Sequence, residues 1–115
     1  MALSVTGTWG RGNVYEGEIN GYRVMALAAR HPSSEGLANG RIEQLHVGIN
    51  GLFSIRDSVL TYNREWFSAP PTERRLQDVV EQAARHIDGK PVDWAAERRR
   101  YEAAIRDTPI VWDEW

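Results

Sequence analysis

Arg41, Tyr62, Arg64 and Trp66 are the residues of this 115-residue chain whose types come nearest to a binding chemistry. An arginine set among aromatic rings grips a carboxylate or a phosphate through its planar fork, or stacks on a base. One reading has the four converge on one face of a sheet, where they would hold a nucleic-acid or nucleotide ligand. A plainer account competes with this one. In it an arginine is buried against loop carbonyls while the rings fill the core, as aromatics in sheets usually do.

The remaining chemistry-bearing residues are sparse. The histidines are His31, His46 and His86. A metal centre wants two or three converging His, Asp or Glu ligands, and only His31 and Glu35 share a loop, so no metal is expected. His46 alternates with Leu45 and Val47 and should face solvent or a partner. His86 stands near a helix C-terminus, where the dipole favours a cation. Ser33 or Ser34 beside His31 is a nucleophile–base pair on paper, but no nucleophile elbow surrounds them. The glycines form neither a dinucleotide fingerprint nor a P-loop, and no cofactor is implied. Arg98-Arg99-Arg100 is the strongest basic cluster, yet Glu97 and Glu102 flank it, and Asp93 and Glu97 supply helix pairs, so a solvated face is expected. The expectation is that the chain is not an enzyme.

Trp112 and Trp115, with Ile110 and Val111, form the most demanding segment. Each ring buries on the order of 150–250 Å² and must dock on its own domain or on another chain. Trp94, Tyr101 and Ile105, at helical spacing, add a second apolar stripe. Tryptophan and tyrosine are favoured anchors of protein interfaces. These five residues (Trp94, Tyr101, Ile105, Trp112 and Trp115) are therefore the candidate partner-binding set, a homodimer being one way to satisfy them.

Composition bounds the partners. The formal charge is −2, with six basic and six acidic residues in 1–66 and eight against ten in 67–115. Such a balance disfavours nucleic acid as the main partner, since dedicated binders carry a clear basic excess. With no cysteine, disulfides and thiolate chemistry are excluded, which accords with a cytoplasmic protein. No run of apolar residues reaches the length of a membrane span, and the first residues lack the pattern of a secretory signal.

The elements that must position these residues are legible from turn chemistry. Three Asn-Gly pairs, at 20–21, 39–40 and 50–51, punctuate the first half. Both positions of such a pair accept positive φ, as a type I′ hairpin turn requires. A two-residue turn at Asn20-Gly21 fixes the pairing of its strands: Ile19 opposite Tyr22, Glu18 opposite Arg23, Gly17 opposite Val24, Glu16 opposite Met25, Tyr15 opposite Ala26. The strand from Tyr22 to Ala29 is apolar on both faces beyond Val24 and belongs in the middle of the sheet. Residues 30–38 form a loop. In the strand from Arg41 to Ile49 the apolar parity breaks between Ile42 and Leu45, which one extra residue near Glu43-Gln44 would repair as a bulge. Strands over 52–56 and 59–64 follow, and Val5–Trp9 adds a sixth if it pairs.

Pro70-Pro71 ends the strand pattern. Thr72 is a candidate N-cap for a helix to residue 88, with Leu76, Val79, Val80, Ala83, Ala84 and Ile87 on one face and Gly89 as its cap. Asp93 caps a second helix to about Arg106. Strands first and helices later give an α+β class, an antiparallel meander of four to six strands packed by one helix. The whole is a single domain over 1–115: sheet 1–67, packing helix 72–88, second helix 93–106 and aromatic tail 107–115.

Two segments also resemble a known family. Ser34-Glu35-Gly36-Leu37-Ala38-Asn39-Gly40-Arg41-Ile42-Glu43-Gln44-Leu45 is similar to a block reading roughly Ser-x-x-Gly-Ile-x-Gly-Gly-Arg-Ile-Ser-Lys-Leu. Thr61-Tyr62-Asn63-Arg64-Glu65-Trp66 is similar to Asn-Tyr-Asp-Arg-Gly-Trp, with Pro70 following, and residues 12–22 resemble the same family's first hairpin. The family is a domain of unknown function found in bacteria and their phages. The resemblance spans about residues 9–88, with Gly40, Arg41, Tyr62, Arg64 and Trp66 at its most recognisable positions. Asn39, Asn63 and Glu65 depart from it, and residues about 52–58 look like an insertion. It implies a fold and an origin on a mobile element, and no chemistry. The combined expectation is a non-enzymatic protein-binding module, a phage or mobile-element inhibitor or adaptor acting on a host protein complex.

Overall fold

A computed structural model describes residues 2–10, 12–49, 59–67 and 69–107. Five antiparallel strands lie in chain order: β1 (Ala2–Trp9), β2 (Gly12–Ile19), β3 (Tyr22–Ala29), β4 (Ile42–Ile49) and β5 (Leu60–Asn63). Two helices follow, α1 (Arg74–Asp88) and α2 (Trp94–Asp107). The fold is α+β, a meander with α1 laid on one face. The candidate strand over 52–56, the Asn50-Gly51 pair and Trp112 and Trp115 fall outside the described residues.

The first hairpin follows its turn. Asn20 and Gly21 take φ of 52° and 84°, and β2 pairs with β3 in the register that a two-residue turn dictates, from Ile19 opposite Tyr22 to Tyr15 opposite Ala26. β3 is central, between β2 and β4. β4 carries its bulge where the parity breaks: Leu27 faces Gln44 and Ala28 faces Ile42, so Glu43 is the extra residue. A second irregularity sits between Val5 and Gly7 in β1.

Asn39-Gly40 behaves differently from a hairpin turn. Leu37–Asn39 is a short 3-10 turn with Ala38 and Asn39 at φ of 54° and 57°, and Gly40 is extended at φ −100°. The pair closes a folded loop, tied by Ser33 N–H donating to the Gly40 carbonyl at 3.1 Å, rather than joining two paired strands.

The core forms where β2, β3, β4 and β5 present one face to α1. Ile19, Val24, Ala26, Leu45, Val47 and Tyr62 meet Val79, Val80, Ala83, Ala84 and Ile87, all buried. These helical residues are the stripe that the spacing marks out, and their removal from water is the main force holding helix to sheet. The cap of α1 falls one residue later than expected: Glu73, not Thr72, is the N-cap, without a side-chain cap bond, and the helix runs from Arg74. The buried Pro70-Pro71 pair holds the approach to the helix, and Gln77 ties back to the Pro71 carbonyl at 2.8 Å. Gly89 caps the other end at φ 68°, as expected. Asp93 caps α2, its carboxylate accepting the Ala96 N–H at 3.1 Å.

Candidate functional site

The block Gly40-Arg41 is built to receive the end of α1. The Asp88 carboxylate accepts the Arg41 backbone N–H at 3.1 and 3.2 Å and its Nε at 3.2 Å, and Arg41 Nη2 donates to the Ile87 carbonyl. A β-carbon at Gly40 would overlap that carboxylate. Arg41 is thus a clasp between loop and helix C-terminus, where a cation also meets the negative end of the dipole.

Tyr62, Arg64 and Trp66 do come together, on a different pattern from a flat sheet face. Arg64 takes φ of 61°, and this left-handed residue turns the chain back on β5. Trp66 bridges to Tyr62, and Asn63 N–H donates to the Glu65 carbonyl at 2.9 Å. The rings of Tyr62 and Trp66 meet edge-to-face with centroids 5.0 Å apart, both buried. Arg64 reaches outward and pairs with Glu43 at 3.4 Å.

The second helix completes the site, chiefly through Glu97 and Arg100, which the sequence pattern assigns to a solvated face. Glu97 is 2% exposed. It accepts the Trp66 indole N–H at 3.1 Å and pairs with Arg100 at 3.3 Å. Arg100 also donates to the carbonyls of Ser34 and Gly36 at 3.0 and 3.2 Å and to the Tyr62 hydroxyl at 3.0 Å. That hydroxyl donates to the Glu35 carbonyl at 2.8 Å. Burial pushes the Tyr62 hydroxyl above its ordinary pKa, outweighing the opposing pull of Arg100. An arginine bonded to loop carbonyls is therefore a real feature, but it is the partly buried Arg100, from the cluster read as solvated. Arg99 alone of the three is fully on the exposed side.

The inward face of α2 is Trp94, Glu97, Tyr101 and Ala104. A carboxylate at its centre breaks the apolar stripe, and only its spacing from Trp94 and Tyr101 could have revealed it. Trp94 and Tyr101 pack against the core, with the Trp94 indole donating to Glu81 at 3.1 Å, while Ile105 is 47% exposed. His46, expected toward solvent or a partner, is buried on the sheet face opposite α1, its Nε2 3.2 Å from the Gln44 amide oxygen. Desolvation lowers its pKa from 6.5. His86 lies in the last turn of α1, edge-on to Tyr15.

Between these elements lies a cavity of about 190 Å³. Tyr62 and Trp66 form its buried side, Tyr101 and Ala104 the α2 side, and Ser34, Glu35, Arg64 and Glu65 its polar margin. Arg41 is not among its lining residues. Among the described residues no three His, Asp or Glu side chains gather as a metal site, and no helix is long and apolar enough to cross a membrane.

Fold and site together define a small α+β meander domain with an aromatic cavity clasped by a helix. Residues 13–88 match the family described as a domain of unknown function (DUF7678), and the chain belongs to that family. The match ends where α1 ends, so α2, with Glu97, Arg100 and Tyr101, lies beyond it. No curated protein and no solved structure matches the chain.

Proposed function

We propose that the chain is a non-enzymatic protein-binding module, a phage or mobile-element inhibitor or adaptor that engages a host protein complex in the cytoplasm. One observation carries the reading. The polar groups around the cavity are occupied inside the molecule: Arg100 by Glu97, Tyr62 and two loop carbonyls, and Tyr62 by Glu35 and Arg100. What remains is apolar volume with a margin of mixed charge, the form of a pocket that takes one anchoring side chain of a partner. The exposed Ile105 on α2 adds to the apolar surface available to that partner.

The alternative, a nucleotide or single-stranded nucleic acid held by Arg41, Tyr62, Arg64 and Trp66, has less support. Arg41 is spent on Asp88, and the two rings are too buried to offer a face for stacking.

Immobilised protein incubated with lysate of the host provides the test. The intact chain should retain a specific protein in stoichiometric amount. Ala104→Trp, which fills the cavity, should lose it while melting at an unchanged temperature. Equal retention by both proteins, or no specific protein retained by either, ends the reading.

A further inference from the structure

The two edges of the sheet are unlike. Beyond β5 the chain doubles back on itself: Trp66 bridges to Tyr62 and Phe67 N–H donates to the Thr61 carbonyl at 3.3 Å. That edge is closed by the protein's own backbone. β1 is the opposite edge, and among the described residues no strand lies beyond it. It is eight residues long, Ala-Leu-Ser-Val-Thr-Gly-Thr-Trp, without a charge or a proline. Natural sheets usually guard such an edge with lysine, proline or a covering element, because its unpaired N–H and C=O groups accept a further strand. Here, among the described residues, the guard is limited to the bulge at Thr6. Val5, opposite Tyr15 on the face that carries α1, is 53% exposed, at the margin that the helix does not reach.

We propose that β1 is a homodimer interface, on which β1 of a second copy adds antiparallel to give one sheet through both molecules. Three observations select a second copy as the occupant. In an antiparallel self-pairing each residue meets its own symmetry set, and a charged strand would oppose like to like. β1 has no charge to oppose in any register, whereas β2 carries Glu16 and Glu18 and β3 carries Arg23. The exposed Val5 gains an apolar neighbour from the same strand of the second copy. Because the β5 edge is closed, β1 has no complementary edge to join head to tail, so the pairing closes at two copies instead of running on as a fibre.

This inference is independent of the cavity. Light scattering after size exclusion on the intact chain, from micromolar to millimolar concentration, should show a dimer. Val5→Lys should weaken it by about tenfold or more, equivalent to about 1.4 kcal/mol, while the thermal melt of the dilute protein is unchanged. Phe67→Lys, at a still more exposed apolar residue on the closed edge, should leave the dimer intact. A monomer throughout the concentration range overturns the proposal. So does a dimer indifferent to Val5→Lys, or one that is lost in a Trp112→Ser/Trp115→Ser variant, which would place the contact in the tail.

Discussion

Glu97 joins an indole, a guanidinium and, through Arg100, two loop carbonyls and a phenol; Glu97, Trp66 and Tyr62 are buried, while Arg100 is partly exposed. Removing one partner of such a buried set leaves the others uncompensated, so Glu97→Ala should lower the unfolding free energy by about 3–5 kcal/mol. Glu97→Gln keeps an oxygen for the Trp66 indole and should be milder. Urea titrations followed by tryptophan fluorescence would order the two, and equal losses would show that the indole contact contributes nothing. At Gly40 the relevant quantity is space. Gly40→Ala forces the Asp88 carboxylate off the Arg41 N–H, for an expected loss of about 1–3 kcal/mol in the same titration. Of these residues, Gly40 and Arg41 stood out in the sequence, but their partner Asp88 did not, because 47 positions separate Arg41 from it. Glu97 was hidden by its type: a glutamate among arginines reads as a surface pair until the helix is seen to face Trp66.

At the scale of elements, legibility followed the locality of the cause. The β2–β3 hairpin was readable to the residue because a two-residue turn leaves no freedom of register. The bulge at Glu43 was readable because apolar parity is a local count. The start of α1 was misplaced because Thr72 has the chemistry of a cap, while the buried Pro70-Pro71 approach delays the first turn to Arg74. Asn39-Gly40 was misread because the dipeptide specifies positive φ at its first position without specifying what the chain joins. α2 is the element least supported by its own sequence, its apolar face being narrow. Its N-cap should therefore matter: Asp93→Ala is expected to cost about 1 kcal/mol and to fray the helix before global melting. Hydrogen exchange would show early loss of protection at residues 96–100, and uniform loss along the whole chain would count against separate fraying.

For the whole molecule, His46 links stability to pH. Its folded pKa lies below 6.5 because burial disfavours the cation. Unfolded chains therefore bind the proton more readily, and stability falls as pH drops below 6.5 towards the folded value; above 6.5 the effect vanishes. Melting temperatures should decline between neutral and mildly acidic buffer, and His46→Gln should flatten that decline; an unchanged slope in the variant would assign it elsewhere. The seam at residue 88 has a practical meaning for any attempt to study the family's shared portion in isolation. Cutting there discards the glutamate and arginine that satisfy an inward indole and phenol, and cutting at residue 13 strips away the first strand as well. The excised piece would carry orphaned polar atoms beneath a freshly bared hydrophobic surface, and its tendency to clump in solution would be a property of the scissors rather than of the protein.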